Sequence, residues 1–365
     1  MSFSYCYPHQ EARFGRVLFD RLNGTAHKFV GKIGALPEKI PGMSDYGGQY
    51  LQDHRGVITH SMGVITQLIG EAMRGRAEKV GELVLLDLGA GIGLMSHFAV
   101  MMGFKKVIAA DIFEPSVRDA AVLGSALGLN PQAMLVGDFD AVEAQLGAEG
   151  RAIDAMVLAD VIEHIYDVPR FFDRLEQFGS SRFRAIMSTV SNRMNPAILR
   201  TLRRKQRNVE LVDREPPPGH KPSDSLKSYR RVRMEIVEEH AGGRLNASQV
   251  NRLAGLTRGL MKQDIIAAVD AFLTTGREPR PIEDPTDTCD PLTGNWCEHL
   301  HHPPQLANDL QRRGFETTLL PQVYALKGNG SVSDRVKSAI NAVAARAGDR
   351  GLHLARGYCI VAERQ

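Results

Sequence analysis

Residues 84 to 93, Val-Leu-Leu-Asp-Leu-Gly-Ala-Gly-Ile-Gly, run an apolar strand straight into glycines at positions 89, 91 and 93. Without a Cβ, these positions let the backbone turn tightly and come within contact distance of a ligand. The helix-like stretch Leu94 to Met102 behind them offers free N–H groups at its start. The chemistry indicated is binding of a nucleoside-like ligand. Dinucleotide binders read G-x-G-x-x-G/A, where this chain has Leu94, and no Gly-Lys-Ser/Thr ends the loop. That weakens NAD and ATP and leaves an uncharged adenosine with an amino-acid tail.

Three further groups follow in order. Asp111 ends the apolar run Lys106-Val-Ile-Ala-Ala110, which puts its carboxylate at a strand's C-terminal edge, where open α/β sheets hold ligands. Two adjacent ribose hydroxyls are well read by one bidentate acceptor. Leu135-Val-Gly-Asp138-Phe139 is another short strand closing on an acid and an aromatic, and Ile153 to Ala159 opens into the polar tip Asp160-Val-Ile-Glu163-His164-Ile-Tyr-Asp167. Each also has a structural explanation, because acids at strand ends often cap the next helix.

Taken together, Asp87 to Gly93 and the three later groups closely resemble the motifs of class I S-adenosylmethionine-dependent methyltransferases, in the Glu-His form seen in many small-molecule members. The resemblance implies S-adenosylmethionine as cofactor, with Asp87, Gly89, Ala90, Gly91 and Gly93 at its methionine end. It places Asp111 on the ribose, and Ile112, Asp138 and Phe139 around the adenine, with Asp160 as a pocket wall. It also implies an α/β fold: a Rossmann-like seven-stranded sheet with helices on both faces, plus an N-terminal helical cap and a helical insertion.

Methyl transfer from a sulfonium has an excellent leaving group, so the protein must chiefly align the acceptor and remove its proton. His164 is the candidate base, since imidazole titrates near neutrality. Its other reading is pocket shaping, and Glu163 either orients it, binds a substrate hydroxyl or caps the helix near Val168. A second cluster, Asn295-Trp296-Cys297-Glu298-His299-Leu-His301-His302, suggests substrate binding by Trp296, Glu298 and His299 to a sugar or other polyol, or else a solvated helix entrance. Successive histidines point apart on a helix or strand, so no metal site is expected there. The basic run from Arg200, Arg203, Arg204, Lys205 and Arg207 to Lys221 and beyond reads as a solvated face, with a dock for an anionic substrate as the alternative. Tyr46, Tyr50, His54 and His60 are candidates to close over the methionine moiety.

Alternating strand and helix patterns over 81–191 predict the cofactor-binding core, a parallel sheet covered on both faces. Residues 1–80 form the cap, with one helical candidate from Val57 to Arg76. Residues 192–295 are the helical insertion, and 296–365 complete the core with an added helix over Val332 to Ala347. In the family the last two strands, Phe315 to Pro321 and Tyr358 to Glu363 here, pair antiparallel. At 365 residues, 43% hydrophobic and with a net charge of +3, the chain has material for a large core and no marked basicity, which argues against a nucleic-acid partner. Four scattered cysteines, no leader and no long apolar run fit a cytoplasmic enzyme with no membrane partner and a small-molecule substrate, a homodimer being allowed for. The expected acceptor is an oxygen, ahead of a nitrogen, on a sugar, glycan precursor or secondary metabolite. A nicotinamide-dependent oxidoreductase and a non-catalytic cofactor-binding scaffold are the alternatives.

Overall fold

The computed structural model describes residues 4–216, 225–324, 326 and 331–364, so Lys221 of the basic run lies outside the described residues. Two compact units are present. One comprises the chain up to Ile162, Pro169–Val190 and the chain from Pro303; the other is Glu163–Val168 with Ser191–His302.

The first unit holds a seven-stranded sheet: β1 Val84–Leu88, β2 Lys106–Asp111, β3 Ala133–Val136, β4 Ala155–Ala159, β5 Arg184–Thr189, β6 Phe315–Gln322 and β7 Gly357–Arg364. The spatial order is β3-β2-β1-β4-β5-β7-β6. The first five strands pair parallel, with registers such as Leu86 on Ile108 and Met156 on Ala185. β7 runs antiparallel to both β5 and β6, with Tyr358 opposite Thr189. β1, β4 and β5 read as near-continuous apolar runs because both faces of a parallel sheet are covered by helices. The glycine turn, Asp111, Asp160 and the end of β5 thus share the carboxyl edge, beside the point where the strand order reverses between β1 and β4.

Before β1 the chain forms four helices, Pro8–Phe14, Arg16–Ala35, Asp45–Gly56 and Ile58–Met73, where the sequence pattern predicted one. Arg16–Ala35 buries Leu18, Leu22, Ala26, Phe29 and Ile33 at helical spacing, but Gly24, Gly31 and Gly34 dilute that narrow stripe.

The second unit contains the helices Pro196–Leu211, Tyr229–Ala241, Ala247–Leu256 and Lys262–Thr275. The last three pack around Val237, Leu253, Ile265 and Val269. Pro196–Leu211 was hidden by its basic composition, although Asn195, accepting from the Ala197 and Ile198 amides, and a proline at its first position mark its start. At its far end Glu210 forms an ion pair with the fully buried Arg233, whose Nε donates to the Ala254 carbonyl at 2.8 Å. Thr288 donates to the second Glu210 oxygen at 2.8 Å. Among the described residues, no helix is long and apolar enough to cross a membrane.

Removing one member of such a buried pair strands the other charge. Glu210→Ala should therefore lower unfolding free energy by about 3–5 kcal/mol in urea titrations, whereas Lys227→Ala, which removes an exposed pair with Glu235, should cost under about 1 kcal/mol.

Candidate functional site

Gly89, Gly91 and Gly93 have φ values of 77°, 54° and 79°, a region costly for any residue with a side chain. At Gly89 space is limiting as well: a Cβ there would fall 2.3 Å from Val161 Cγ2. The turn is tied to β2, since the Gly89 and Ala90 amides both donate to the Ala110 carbonyl, at 2.8 and 2.9 Å.

Asp111 holds the same turn from its side chain. One carboxylate oxygen accepts from the Gly91 amide and the other from the Phe113 amide, both at 2.8 Å. Each oxygen keeps a second lone pair, so the pair of oxygens that shapes the turn can also receive two ribose hydroxyls. Next to it Ile112 is 72% exposed, and Val136 at the end of β3 is 41% exposed. Two uncovered aliphatic side chains beside this acid suit the faces of a flat apolar ring. Asp138 is exposed and caps Phe139–Leu146 through the Ala141 amide at 2.9 Å. Phe139 departs from its expected role: its ring is buried against Phe171 and Phe178, at centroid distances of 5.0 and 5.1 Å. Its apolar surface is used by the core, while Ile112 and Val136 remain exposed.

Asp87 is fully buried. It accepts from Ser96 Oγ at 2.6 Å through one oxygen, while its Oδ1 has no hydrogen-bond partner among the described residues. Burial, with the neighbouring charge of Asp111, pushes its pKa up to about 7, against the opposing Ser96 bond. A buried half-satisfied carboxylate is costly unless a donor meets it. The glycine turn, this orphaned oxygen and the exposed aliphatic pair fit S-adenosylmethionine, whose tail brings an ammonium and whose base is flat and apolar.

Asp160 closes the wall at β4, with a φ of 54°. Its amide donates to the Ser188 carbonyl at 2.8 Å and its carboxylate accepts from the Val190 amide at 3.1 Å. From the N-terminal helices, Tyr50 reaches the turn: a Cβ on Gly91 would lie 3.5 Å from its hydroxyl. Burial raises the Tyr50 pKa, and Tyr46, Asp160, Asp111 and Asp87 raise it further. The loop therefore lies in a field of three carboxylates, which favours a cationic ligand.

The second unit brings together residues that lie far apart in sequence. The Trp296 amide meets the His164 carbonyl at 3.5 Å, and the His299 amide donates to the Glu163 carbonyl at 3.0 Å. His164 Nδ1 contacts the Trp296 carbonyl at 2.8 Å, and Trp296 Nε1 donates to the Tyr166 carbonyl at 3.2 Å. Glu298, at a φ of 54°, accepts from Lys205 Nζ and Ser191 Oγ, each at 2.7 Å. Burial works against the Glu298 charge, yet Lys205 and Ser191 outweigh it and hold its carboxyl below the usual range.

Glu163, His164 and Glu298 have ligand atoms within 4.8 Å of one another, a donor set a divalent ion could use. Lys205 already supplies a positive charge to Glu298. Trp296 departs from expectation: it is 7% exposed, with Tyr166 stacked at 6.2 Å and His299 at 4.2 Å. Little of its ring is left open to solvent. Burial lowers the His299 pKa to about 4 and, with Asp284, raises that of Asp287 to about 6, so their 3.5 Å contact is not a charged pair near neutrality. Sequence reasoning passed over Lys205, which looked like one more solvated cation, and Ser191; no local signal couples either to Glu298.

Residues 86–179 match the methyltransferase domain family. Among solved structures the chain is similar to an S-adenosylmethionine-dependent methyltransferase from Mesorhizobium loti, at 17% identity over 81% of this chain and 100% of that one, with a TM-score of 0.37. It is also similar to one from Archaeoglobus fulgidus, at 15% identity over 86% and 99% of the two chains, with a TM-score of 0.35. No curated protein matches the chain.

Asp111→Ala should weaken S-adenosylhomocysteine binding by roughly 1.5–3 kcal/mol in calorimetric titration, the value of a hydrogen bond to a charged group; unchanged affinity would remove Asp111 from the ribose. Asp87 gives a pH signature. Its folded pKa of about 7 stands above the ordinary 3.8, so its contribution to stability is full below 3.8 and lost as pH rises through 7. Without ligand, Asp87→Asn should gain thermal stability relative to the parent protein between pH 5 and pH 8, and parallel melting curves across that range would contradict the assignment.

Proposed function

We propose that the chain, whose residues 86–179 match the methyltransferase domain family, is a class I S-adenosylmethionine-dependent methyltransferase that methylates an oxygen, less readily a nitrogen, of a polar small molecule such as a sugar, glycan precursor or secondary metabolite, with His164 as general base. The observation that carries this reading is the Trp296 carbonyl against His164 Nδ1 at 2.8 Å. A carbonyl can only accept, so Nδ1 holds the ring proton and Nε2 keeps its lone pair. The main chain thereby selects the tautomer a base requires.

Bound S-adenosylmethionine supplies a methyl group on a cationic sulfur with an excellent leaving group. The protein's own share is alignment, which contributes on the order of 7–11 kcal/mol in well-oriented reactions, and removal of the acceptor proton. An alcohol, almost wholly protonated at neutral pH, needs that base; an amine needs only a route for the proton. His164 Nε2 takes the proton, and Glu163 and Glu298 bring negative charge to the imidazolium that results. Lys205 and Ser191 hold Glu298 in its left-handed backbone position, where a tightly held conformation is expected of a working residue. Asp87, Asp111 and the glycine turn would hold the cofactor, with Asp160 adding a further carboxylate to the wall.

The test uses methyl-labelled cofactor and fractionated metabolites to find an acceptor, followed by His164→Ala on that acceptor. Turnover should fall about 10²–10⁴-fold while S-adenosylhomocysteine affinity stays within about twofold. Undiminished turnover would overturn the base assignment. A chelator should leave turnover unchanged, and its loss would assign the Glu163, His164 and Glu298 donor set to a metal.

A further inference from the structure

The unit that carries the sheet contains a second group of polar side chains, apart from the glycine turn and Asp111. Arg356 lies two residues before Tyr358, which pairs with Thr189 at the end of β5, so it stands at the ligand-binding edge of the sheet. Its guanidinium contacts His60 Nε2 at 2.9 Å, and among the described residues no carboxylate is paired with it. A guanidinium has only donors, so His60 Nε2 accepts and the ring proton sits on Nδ1. That Nδ1 is buried with no hydrogen-bond partner among the described residues. Burial lowers the His60 pKa to about 4, with Arg356, His54 and Lys337 also lowering it, which keeps the ring neutral.

Three residues along the same helix, Gly63 leaves room for Tyr7. A Cβ at Gly63 would fall 2.4 Å from both Tyr7 Cζ and its hydroxyl oxygen. Glycine inside a helix is destabilising relative to alanine, and here the vacated space is filled by a phenol. The Tyr7 hydroxyl is buried without a partner among the described residues, within electrostatic range of Arg356. Gln10, 1% exposed, also leaves its amide nitrogen unpartnered, while its oxygen accepts from the Tyr7 amide at 3.3 Å.

The group thus holds three buried unmet donors, Tyr7 O–H, His60 Nδ1–H and the Gln10 amide, beside the half-buried Arg356 guanidinium. The charged groups that face His60, Arg356 and Lys337, are cations. Such an arrangement is expensive until a ligand supplies acceptors and negative charge. We propose that Tyr7, His60 and Arg356 form a subsite for an anionic group, carboxylate or phosphate, carried by the methyl acceptor. This rests on the methyltransferase reading for the identity of the ligand, while the anion site itself stands on the unmet donors.

The cofactor's own carboxylate is the other source of such an anion, and the experiment separates the two. The protein saturated with S-adenosylhomocysteine is titrated calorimetrically with inorganic phosphate and with acetate, alongside Arg356→Gln and Tyr7→Phe, with thermal melts to verify folding. At least one anion should bind saturably, about tenfold more weakly to Arg356→Gln and about threefold more weakly to Tyr7→Phe, with S-adenosylhomocysteine affinity within about twofold throughout. Absence of saturable anion binding to the parent protein overturns the proposal. So does equal binding to the variants, with Tyr7→Phe deciding the matter if Arg356→Gln does not fold. If Arg356→Gln loses S-adenosylhomocysteine but retains 5′-methylthioadenosine, which lacks the amino-acid tail, the arginine reads the cofactor and the acceptor subsite is rejected. Every readout is binding, so a failure to find methyl transfer counts against the activity and leaves this result intact.

Discussion

The bond from the Gly91 amide to the Asp111 carboxylate, with the Gly89 and Ala90 amides on the Ala110 carbonyl, is the constraint from which the cofactor site follows. These contacts bind the turn after β1 to the end of β2, so two strands adjacent in the sheet present one continuous surface. They also hold the Asp111 charge beside main chain that has no side-chain cover. Asp87 and Asp160 then close the arrangement with two further carboxylates, one buried beneath the turn and one exposed at the end of β4. A neutral or anionic ligand gains little from such a field. A cationic one gains from all three acids, and Tyr50, held protonated beside them, adds a donor without adding charge.

The acid–base chemistry depends on main chain in a different way. The Trp296 carbonyl fixes the tautomer of His164, and a positive φ at Glu298 aims its carboxylate between Lys205 and Ser191. The same logic operates at the Arg356 group, where the guanidinium fixes the tautomer of His60 and leaves Nδ1–H as a donor. Two histidines of ordinary chemistry thus acquire opposite capacities, one offering a lone pair and the other a proton. Their neighbours, a carbonyl in one case and a cation in the other, account for the difference.

Much of this was legible along the chain. The glycine turn, the acids at the strand ends and the alternation over 81–191 are local signals of a parallel sheet and a nucleoside-like ligand, while the seven-stranded form and the cofactor's identity are what the family resemblance implies. The antiparallel pairing of β6 with β7 came from the family resemblance. Local reading failed where burial decides a residue's role. Phe139 follows an acid at a strand end, as an adenine-facing aromatic would, yet Phe171 and Phe178 take its ring into the core. Trp296, in a polar segment, looked like an open platform and is enclosed by Tyr166 and His299. The helix Arg16–Ala35 was missed because three glycines blur its stripe.

Sequence alone therefore determined the glycine turn and the parallel part of the sheet, because glycine's backbone freedom and strand periodicity act within a few residues of where they are read. It could nominate His164, Glu298 and His60 but could not assign what each does. A proton's position on imidazole, the charge beside a carboxylate and the exposure of an aromatic face depend on partners such as Trp296, Lys205 and Arg356, which are 132, 93 and 296 residues away along the chain. Only the folded arrangement of the backbone brings those partners within hydrogen-bonding distance.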